Sequence, residues 1–219
     1  MSKSNIILVV LGPQGSGKGT QAEMLAKKFN LTHIQTGNIF REKAEEDTPL
    51  GRKIDRLINK EGRLVPDEIV FQVWKEYVEK IPQGKGIILD GNPRTLEQAK
   101  FIDNFFKEKG REINKVFYIG ISGEETIKRL SVRRVCKDCK KSLRLGIDVE
   151  ESDKCPKCGG ELFQREDDTP ERIKVRLDTY KEVILPLVDY YKKQDKLVEI
   201  NGEQPIEKVF EDIVGCIED

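Results

Sequence analysis

The stretch Gly12-Pro-Gln-Gly-Ser-Gly-Lys-Gly-Thr20 follows the apolar run Ile6 to Leu11 directly and opens the helix-forming segment Gln21 to Phe29. Strand, glycine-bounded loop, lysine and helix in that order are the setting of a phosphate cradle. The glycines let successive backbone N–H groups turn inward, and the helix presents its positive end. Lys18 adds a point charge for β- and γ-phosphates. The stretch therefore predicts nucleotide binding. Lys18 is followed by Gly19, so the hydroxyl comes one place later, at Thr20.

Working outward, further strand-like runs occur at His33 to Gln35, Gly86 to Leu89, Val116 to Ile119 and Lys196 to Ile200. Each is followed by turn chemistry and helical periodicity, which predicts a parallel sheet covered by helices on both faces. Helices are expected near 18–29, 37–46, 50–60, 67–79, 95–109, 124–134, 170–193 and 205–217. Thr95 and Thr169 read as N-caps, and Pro170 stands at the first helical position. Two excursions interrupt the alternation. Gly37 to Pro66 inserts two short helices, and Val135 to Asp168 is a cysteine-containing stretch with almost no regular period. Such excursions are usually functional lobes on a rigid core.

A chain of 219 residues is long enough for one large domain with insertions. Charged residues make up 36%, but Lys plus Arg and Asp plus Glu both number 39, so no global field favours nucleic acid or a membrane surface. Any basic site must be local. The first apolar run is too short for a signal or membrane segment, and no other stretch approaches about 18 apolar residues. A cytoplasmic location is expected, with no membrane partner.

Cys136-x-x-Cys139 and Cys155-x-x-Cys158 are separated by fifteen residues, and Gly159-Gly160 follows the second pair. The spacing is that of tetrahedral Zn²⁺. Four thiolates leave no open coordination position, so the ion is expected to be structural. A nucleic-acid-binding ribbon is the competing reading of such a motif. Neutral net charge and few aromatics in the segment argue against it. Cys216 reads as a small buried apolar residue.

Phosphoryl transfer needs in-line positioning and positive charge rather than covalent help. Candidates for that charge are Arg41, Arg94, Arg129, Arg133, Arg165 and Arg176. Arg129 and Arg133 are expected at i,i+4 on one helix face, immediately before the cysteine segment. Asp90 ends the apolar run Gly86 to Leu89 and projects from the carboxyl edge of a buried strand, where ligands of open α/β sheets bind. A carboxylate there holds Mg²⁺ or its waters; the alternative for Asp90 is a cap. Asp167 and Asp168 either brace the cysteine insert or cap the following helix. His33, the only histidine, reads as structural or surface.

With these residues in place the chain resembles adenylate kinase, in the long-lid form whose lid carries a structural zinc. The resemblance covers nearly the whole chain in order. Gly12 to Thr20 is similar to the family's phosphate loop, Thr36-Gly-Asn-Ile-Phe-Arg41 to its first acceptor motif, and Leu64-Val-Pro-Asp-Glu68 to its second. Asp90-Gly-Asn-Pro-Arg-Thr95 with Gln98 is similar to its central signature, Arg129 to Val135 to the start of its lid, and Arg165 to Asp168 to the end. Three positions depart from the family pattern. Asn38 stands where aspartate is usual, Asn92 where phenylalanine is usual, and Ser142-Leu-Arg144 where an aromatic commonly follows the first cysteine pair.

The resemblance implies an α/β phosphate-loop kinase core with a five-stranded parallel sheet flanked by helices. The core would comprise 1–36, 67–134 and 169–219, with a helical monophosphate-binding insert at 37–66 and a zinc lid at 135–168. It implies reversible transfer of the γ-phosphoryl of Mg·ATP to AMP, giving two ADP. The alternative is a related nucleoside monophosphate kinase with GTP as donor or another acceptor. Gly15, Ser16, Gly17, Lys18, Gly19 and Thr20 would hold the donor phosphates. Arg129 and Arg133 would cover the donor, Ser142 and Leu143 would touch it from the lid, and Gln204 would meet the adenine through its backbone. Thr36, Arg41, Arg63, Leu64, Val65, Gly91, Asn92, Pro93, Arg94 and Gln98 would seat AMP. Arg94, Arg165 and Arg176 would clamp phosphates between the nucleotides. Lys18, Arg94, Arg133, Arg165 and Arg176 are thus the implied catalytic set, with Asp90 on magnesium through water and Cys136, Cys139, Cys155 and Cys158 on zinc. A monomer is implied.

Overall fold

The computed structural model describes residues 5–61, 65–165 and 168–218, with backbone alone at positions 59, 60, 176 and 179. Arg63, Leu64 and Asp167 lie outside the described residues, as does the side chain of Arg176.

β1 (Ile7–Leu11) is buried at every position, so it reads as an unbroken apolar run rather than an alternation. Only a strand covered on both faces has that pattern. It pairs in parallel with β3 (Ile87–Asp90) on one side and β4 (Lys115–Gly120) on the other. β2 (Thr32–Gln35) extends the sheet beyond β3, and a last strand, Leu197–Asn201, extends it beyond β4. The five parallel strands match the sequence expectation.

Alternate side chains of β1 feed different layers. Ile7, Val9 and Leu11 pack with Ile34, Leu89, Trp74, Phe106, Leu187 and Tyr191. Leu8 and Val10 pack with Ala22, Leu25, Phe117, Ile200 and Ile213. The first layer is built from α4 (Asp67–Val78), α5 (Leu96–Glu108) and a long helix, Pro170–Lys192. Within it Trp74 meets Phe105 and Phe106 edge-on, with ring centroids 5.1 and 5.8 Å apart. The second layer is α1 (Lys18–Phe29) and the C-terminal helix Ile206–Glu218. Burial of these clusters, at roughly 25 cal/mol per Å² of apolar surface, is the main force holding the sheet between its helices.

Thr95 and Thr169 cap their helices as expected, accepting from the Gln98 and Arg172 amides. The first insert carries α2 (Thr36–Glu45) and α3 (Pro49–Asp55). Phe40 and Ile54 from these helices pack on Val70 and Val73 of α4. The helix expected over 50–60 changes register at Asp55, and Arg56–Lys60 is π-helical, with the Glu61 amide reaching back to Arg56 at 3.0 Å.

Two expectations about the cysteine segment are corrected. α6 (Gly123–Ser131) ends three residues before the expected limit of 134, and Arg133 begins β5 (Arg133–Cys136). Arg129 and Arg133 therefore do not share a helix face. Val132 closes the helix as its C-cap at φ −96° and ψ 2°, the β-branched Val135 favours extended backbone, and β5 finds strand partners on both sides. The segment is also not irregular. β6 (Ser142–Arg144) and β7 (Leu162–Phe163) flank β5 in an antiparallel three-stranded sheet. Strands of two to four residues are too short to leave a period in the sequence. The helices after this segment are α7 (Pro170–Lys192) and α8 (Ile206–Glu218), and the intervening strand is β8 (Leu197–Asn201). Among the described residues no helix is long and apolar enough to cross a membrane.

Candidate nucleotide site and metal centre

The carboxyl ends of β1, β2 and β3 lie together because the register pairs Asp90 with Val10 on one side and Gln35 on the other. The loop after β1 turns through Gly12, Gly15 and Gly17, whose φ values are 148°, 79° and 91°. A side chain at Gly12 would also meet the Ile119 carbonyl at 2.3 Å. α1 then begins at Lys18 with Gly17 as N-cap, so no side chain caps its first amides. Those amides face the loop with the positive end of the helix dipole behind them. Lys18 Nζ donates to the Pro13 carbonyl at 2.8 Å, folding back over the loop. Ser16 Oγ is buried without a partner among the described residues. Uncapped amides, a lysine and glycine curvature fit a polyphosphate.

Asp90 is 5% exposed and stands beside this loop. A Cβ at Gly19 would come within 3.3 Å of Asp90 Oδ2, so the bare glycine allows helix and carboxylate to approach. Gln35 Nε2 donates to Asp90 Oδ2 at 3.2 Å, and His33 Nε2 lies 3.4 Å from the same oxygen. Burial by itself would raise the Asp90 pKa. The hydrogen bond from His33, the charge of Lys18 and the Gln35 amide outweigh it and hold the carboxyl below its ordinary value. Among the described residues the side-chain contacts of this ionised carboxylate fall on Oδ2, which leaves Oδ1 to receive a hydrated cation, so the donor set fits magnesium carried by a nucleotide.

His33 and Gln35 were not among the expected site residues. Their signal was available in the period of two along a strand, which puts both on the face that Asp90 shares in β3. What the sequence lacked was the pairing of that strand with β3.

Around Gly37 the acceptor-motif residues converge. Thr36 donates from Oγ1 to Asn92 Oδ1 at 2.8 Å, both side chains buried. A Cβ at Gly37 would lie 3.3 Å from the Arg41 guanidinium, and one at Gly91 would meet Gly37 N and Arg94 Nη2 at 3.8 and 3.9 Å. Arg94 Nε donates to the Gly91 carbonyl at 2.9 Å. Thr36, Arg41, Gly91, Asn92 and Arg94 thus form one cluster, with Pro93 between the last two. Gln98 lies behind it, 3% exposed, its Oε1 accepting from Arg94 N and its Nε2 donating to Asp67 Oδ1, both at 2.8 Å. Asp67 also accepts from Thr95 Oγ1 at 2.9 Å, a bracing role that the sequence did not signal. Val65 packs against the insert's own apolar cluster.

On the opposite side Arg129 ties three segments together. Its Nε donates to Glu125 at 2.7 Å, and its Nη atoms donate to the carbonyls of Gly15 and Gly202 at 3.3 and 3.0 Å. Gln204 follows closely, donating to Asn201 O and Asp212 Oδ2. Thr20 is exposed at the start of α1. Arg133 grips Asp168 through two bonds of 2.7 and 2.6 Å, and Arg165, half-buried, accepts on its carbonyl from the Asp168 amide at 3.1 Å.

The four cysteine sulfurs lie within 4.8 Å of one another. A tetrahedron with metal–sulfur bonds of about 2.3 Å has edges of about 3.8 Å, so the cluster is the right size for zinc. Both C-x-x-C turns have the same construction. The amide after the second cysteine returns to the first cysteine's carbonyl, Lys140 to Cys136 at 3.1 Å and Gly159 to Cys155 at 2.8 Å. Both residues after the pair are left-handed, at φ 58° and 76°. Leu143, Val149 and Leu162 pack around the sulfurs, so the Leu143 side chain faces the insert's own core while Ser142 is exposed. Lys157, within the second turn, reaches Glu23 of α1 at 3.6 Å.

A family model described as adenylate kinase matches residues 10–196. The chain is 41% identical over 212 residues to the adenylate kinase of Archaeoglobus fulgidus, covering 96% of this chain and 97% of that protein. It is 42% identical over 211 residues to the adenylate kinase of Caldicellulosiruptor bescii, covering 96% and 98%. It is also 42% identical over 212 residues to that of Carboxydothermus hydrogenoformans, covering 96% and 99%.

Proposed function

The chain belongs to the adenylate kinase family, and on that premise we propose that it transfers the γ-phosphoryl group of Mg·ATP reversibly to AMP, giving two ADP. The observation that carries this reading is the shared edge of β1 and β3. There the uncapped start of α1 with Lys18 stands beside the ionised Asp90, and the Arg41–Arg94 cluster lies next to it through Gly37 and Gly91.

In this reading residues 15–20 bind the donor phosphates through backbone amides and Lys18. Bound with the donor, magnesium would neutralise charge on the β- and γ-phosphates, held through its waters by Asp90. Arg129 and Gln204 bound the donor's base side, with Arg133, Ser142 and Leu143 above. Thr36, Arg41, residues 63–65, residues 91–94 and Gln98 seat the acceptor. Arg94, Arg165 and Arg176 set positive charge around the transferring group, and no general base is needed. Residues 37–66 form the acceptor insert and 135–168 the lid, on a core of 1–36, 67–134 and 169–219. The four cysteines hold zinc and give the lid a core too small to form from apolar burial alone. Closure of the lid would exclude water, the competing acceptor. The chain acts as a cytoplasmic monomer with no nucleic-acid or membrane partner.

Product analysis tests this directly. Purified protein receives Mg·ATP with AMP, CMP, UMP or GMP in separate reactions, each repeated with GTP as donor. ADP formed selectively from ATP and AMP is the expected result. Preferential transfer from GTP, or to another monophosphate, would overturn the substrate assignment while keeping the scaffold. No transfer in any combination would overturn the reaction.

A further inference from the structure

The side chains running from Arg41 to Asp90 form a hydrogen-bonded chain with a direction. Arg41 donates to Asn38 Oδ1, Asn38 Nδ2 donates to Gln35 Oε1, and Gln35 Nε2 donates to Asp90 Oδ2 at 3.2 Å. A guanidinium has only donors and an ionised carboxylate only acceptors. Each carboxamide between these ends must therefore accept on the arginine side and donate on the carboxylate side. The two ends fix the orientation of both amides.

The backbone supplies the spacing. Gln35 is the N-cap of α2, and Asn38 and Arg41 follow at intervals of three on that helix, which places them on one face. The strand register sets Gln35 directly beside Asp90. All three polar side chains are half-buried, so solvent competes only partly for their bonds. A carboxylate at position 38 would still accept from Arg41 but would have nothing to donate to Gln35. Turning the Gln35 amide to satisfy it would aim the Gln35 oxygen at Asp90. Asparagine at 38 and glutamine at 35 are chemically matched.

We propose that Gln35 and Asn38 are positioning residues, a one-way amide relay that fixes the Arg41 guanidinium, and with it the acceptor's phosphate, relative to Asp90. This rests on the acceptor reading given above. The relay joins an arginine on an insert helix to the strand edge beside the phosphate loop, so the separation of the two substrate phosphates is set by two short amides. A misplacement of about 1 Å in such a geometry costs on the order of 10²-fold in rate.

The test is a double-mutant cycle in the zinc-loaded full chain, read by calorimetric titration with AMP in the absence of donor and magnesium. Gln35→Ala and Asn38→Ala are each expected to raise the AMP Kd about fivefold, and the double variant no further than the weaker single, because one break already disconnects the chain. In turnover the acceptor KM rises and the donor KM does not. Asn38→Asp, nearly isosteric, keeps its bond to Arg41 yet is expected to lose AMP affinity as Asn38→Ala does. Multiplicative effects of about 25-fold in the double variant, wild-type affinity in Asn38→Asp, or an equal rise in donor KM would each overturn the relay. Melting curves verify that each variant is folded. If the wild-type chain neither binds AMP nor transfers to it, the acceptor reading itself fails. If it binds AMP and the variants are unmoved, only the relay fails.

Discussion

Arg133 and Asp168 join the two ends of the cysteine insert through a two-pronged ion pair, Nε to Oδ2 at 2.7 Å and Nη2 to Oδ1 at 2.6 Å, with the Asp168 side chain fully buried. One residue opens β5 and the other lies just before α7, so this pair closes the neck of the insert. Fork-to-fork geometry is the strongest form of such a contact, and removing Asp168 leaves the half-buried Arg133 guanidinium without its bidentate partner. Asp168→Ala is expected to cost about 3–5 kcal/mol, concentrated in the insert. Amide exchange should rise across residues 133–168 while β1 and β3 keep their protection. Unchanged exchange at the neck would show that the pair is not what closes it.

Lys18→Ala removes the lysine that folds back over the phosphate loop. Its Nζ donates to the Pro13 carbonyl of the same loop, and its side chain belongs to neither apolar layer of the sheet. Turnover should fall by at least about 10²–10³-fold, the scale of losing one preorganised charge-stabilising donor. The chain should stay folded with a melting temperature lower by a few degrees at most, the loss arising from the Lys18 charge that helps hold Asp90 ionised. Retained turnover would overturn the phosphate-loop assignment.

The two cysteine turns make separate predictions on metal and on strain. Cys155→Ser should abolish bound zinc and melt the insert, and chelation of the wild-type chain should do the same, because the cluster packs around the sulfurs. An unchanged melting curve in a metal-free protein would sink the metal assignment. Lys140 holds φ 58° where the second turn has a glycine, a conformation that costs an L-residue about 1–2 kcal/mol. Lys140→Gly should relieve part of that and tighten zinc binding several-fold in a competition titration. Weaker binding would mean that the Lys140 side chain contributes more than its backbone costs.

Asp90 gives a pH signature. Its folded pKa is depressed, so the stability it contributes is fully present above the ordinary carboxylate value of about 3.9 and is lost as pH falls through the lower folded value. The difference in melting temperature between the wild-type chain and Asp90→Asn should shrink as pH falls below about 4, where the carboxyl takes up its proton, and should not shrink as pH falls from about 7 to about 5. A difference that already shrinks between pH 5 and 7 would mean that the carboxyl is raised, and that burial dominates its partners.

Much of the scaffold was legible because it is written locally. Ile7 to Leu11 is apolar at every position and is followed at once by glycines and Lys18, so strand, loop and helix follow from adjacent residues. Thr95 and Thr169 cap amides three residues ahead, which is also a local relation. The four cysteines declare themselves by spacing, and their sulfurs do meet. The i,i+4 spacing after Arg129 makes Arg133 look helical, whereas its backbone is set by strand partners more distant in the chain. The pairing of His33 and Gln35 with Asp90 is not legible in the sequence, because Asp90 is more than fifty residues away.

The parallel α/β core, the phosphate loop, the zinc-type cysteine set and the identity of the charged residues can all be read along the chain, since each depends on neighbours within a few positions or on side-chain chemistry alone. Folding in three dimensions sets which oxygen of Asp90 is occupied, which way the Gln35 and Asn38 amides point, and that Arg133 closes on Asp168. Those choices depend on strand order and register, which bring remote residues within about 3 Å, and at that range the direction of a hydrogen bond is set by which group has the proton to give.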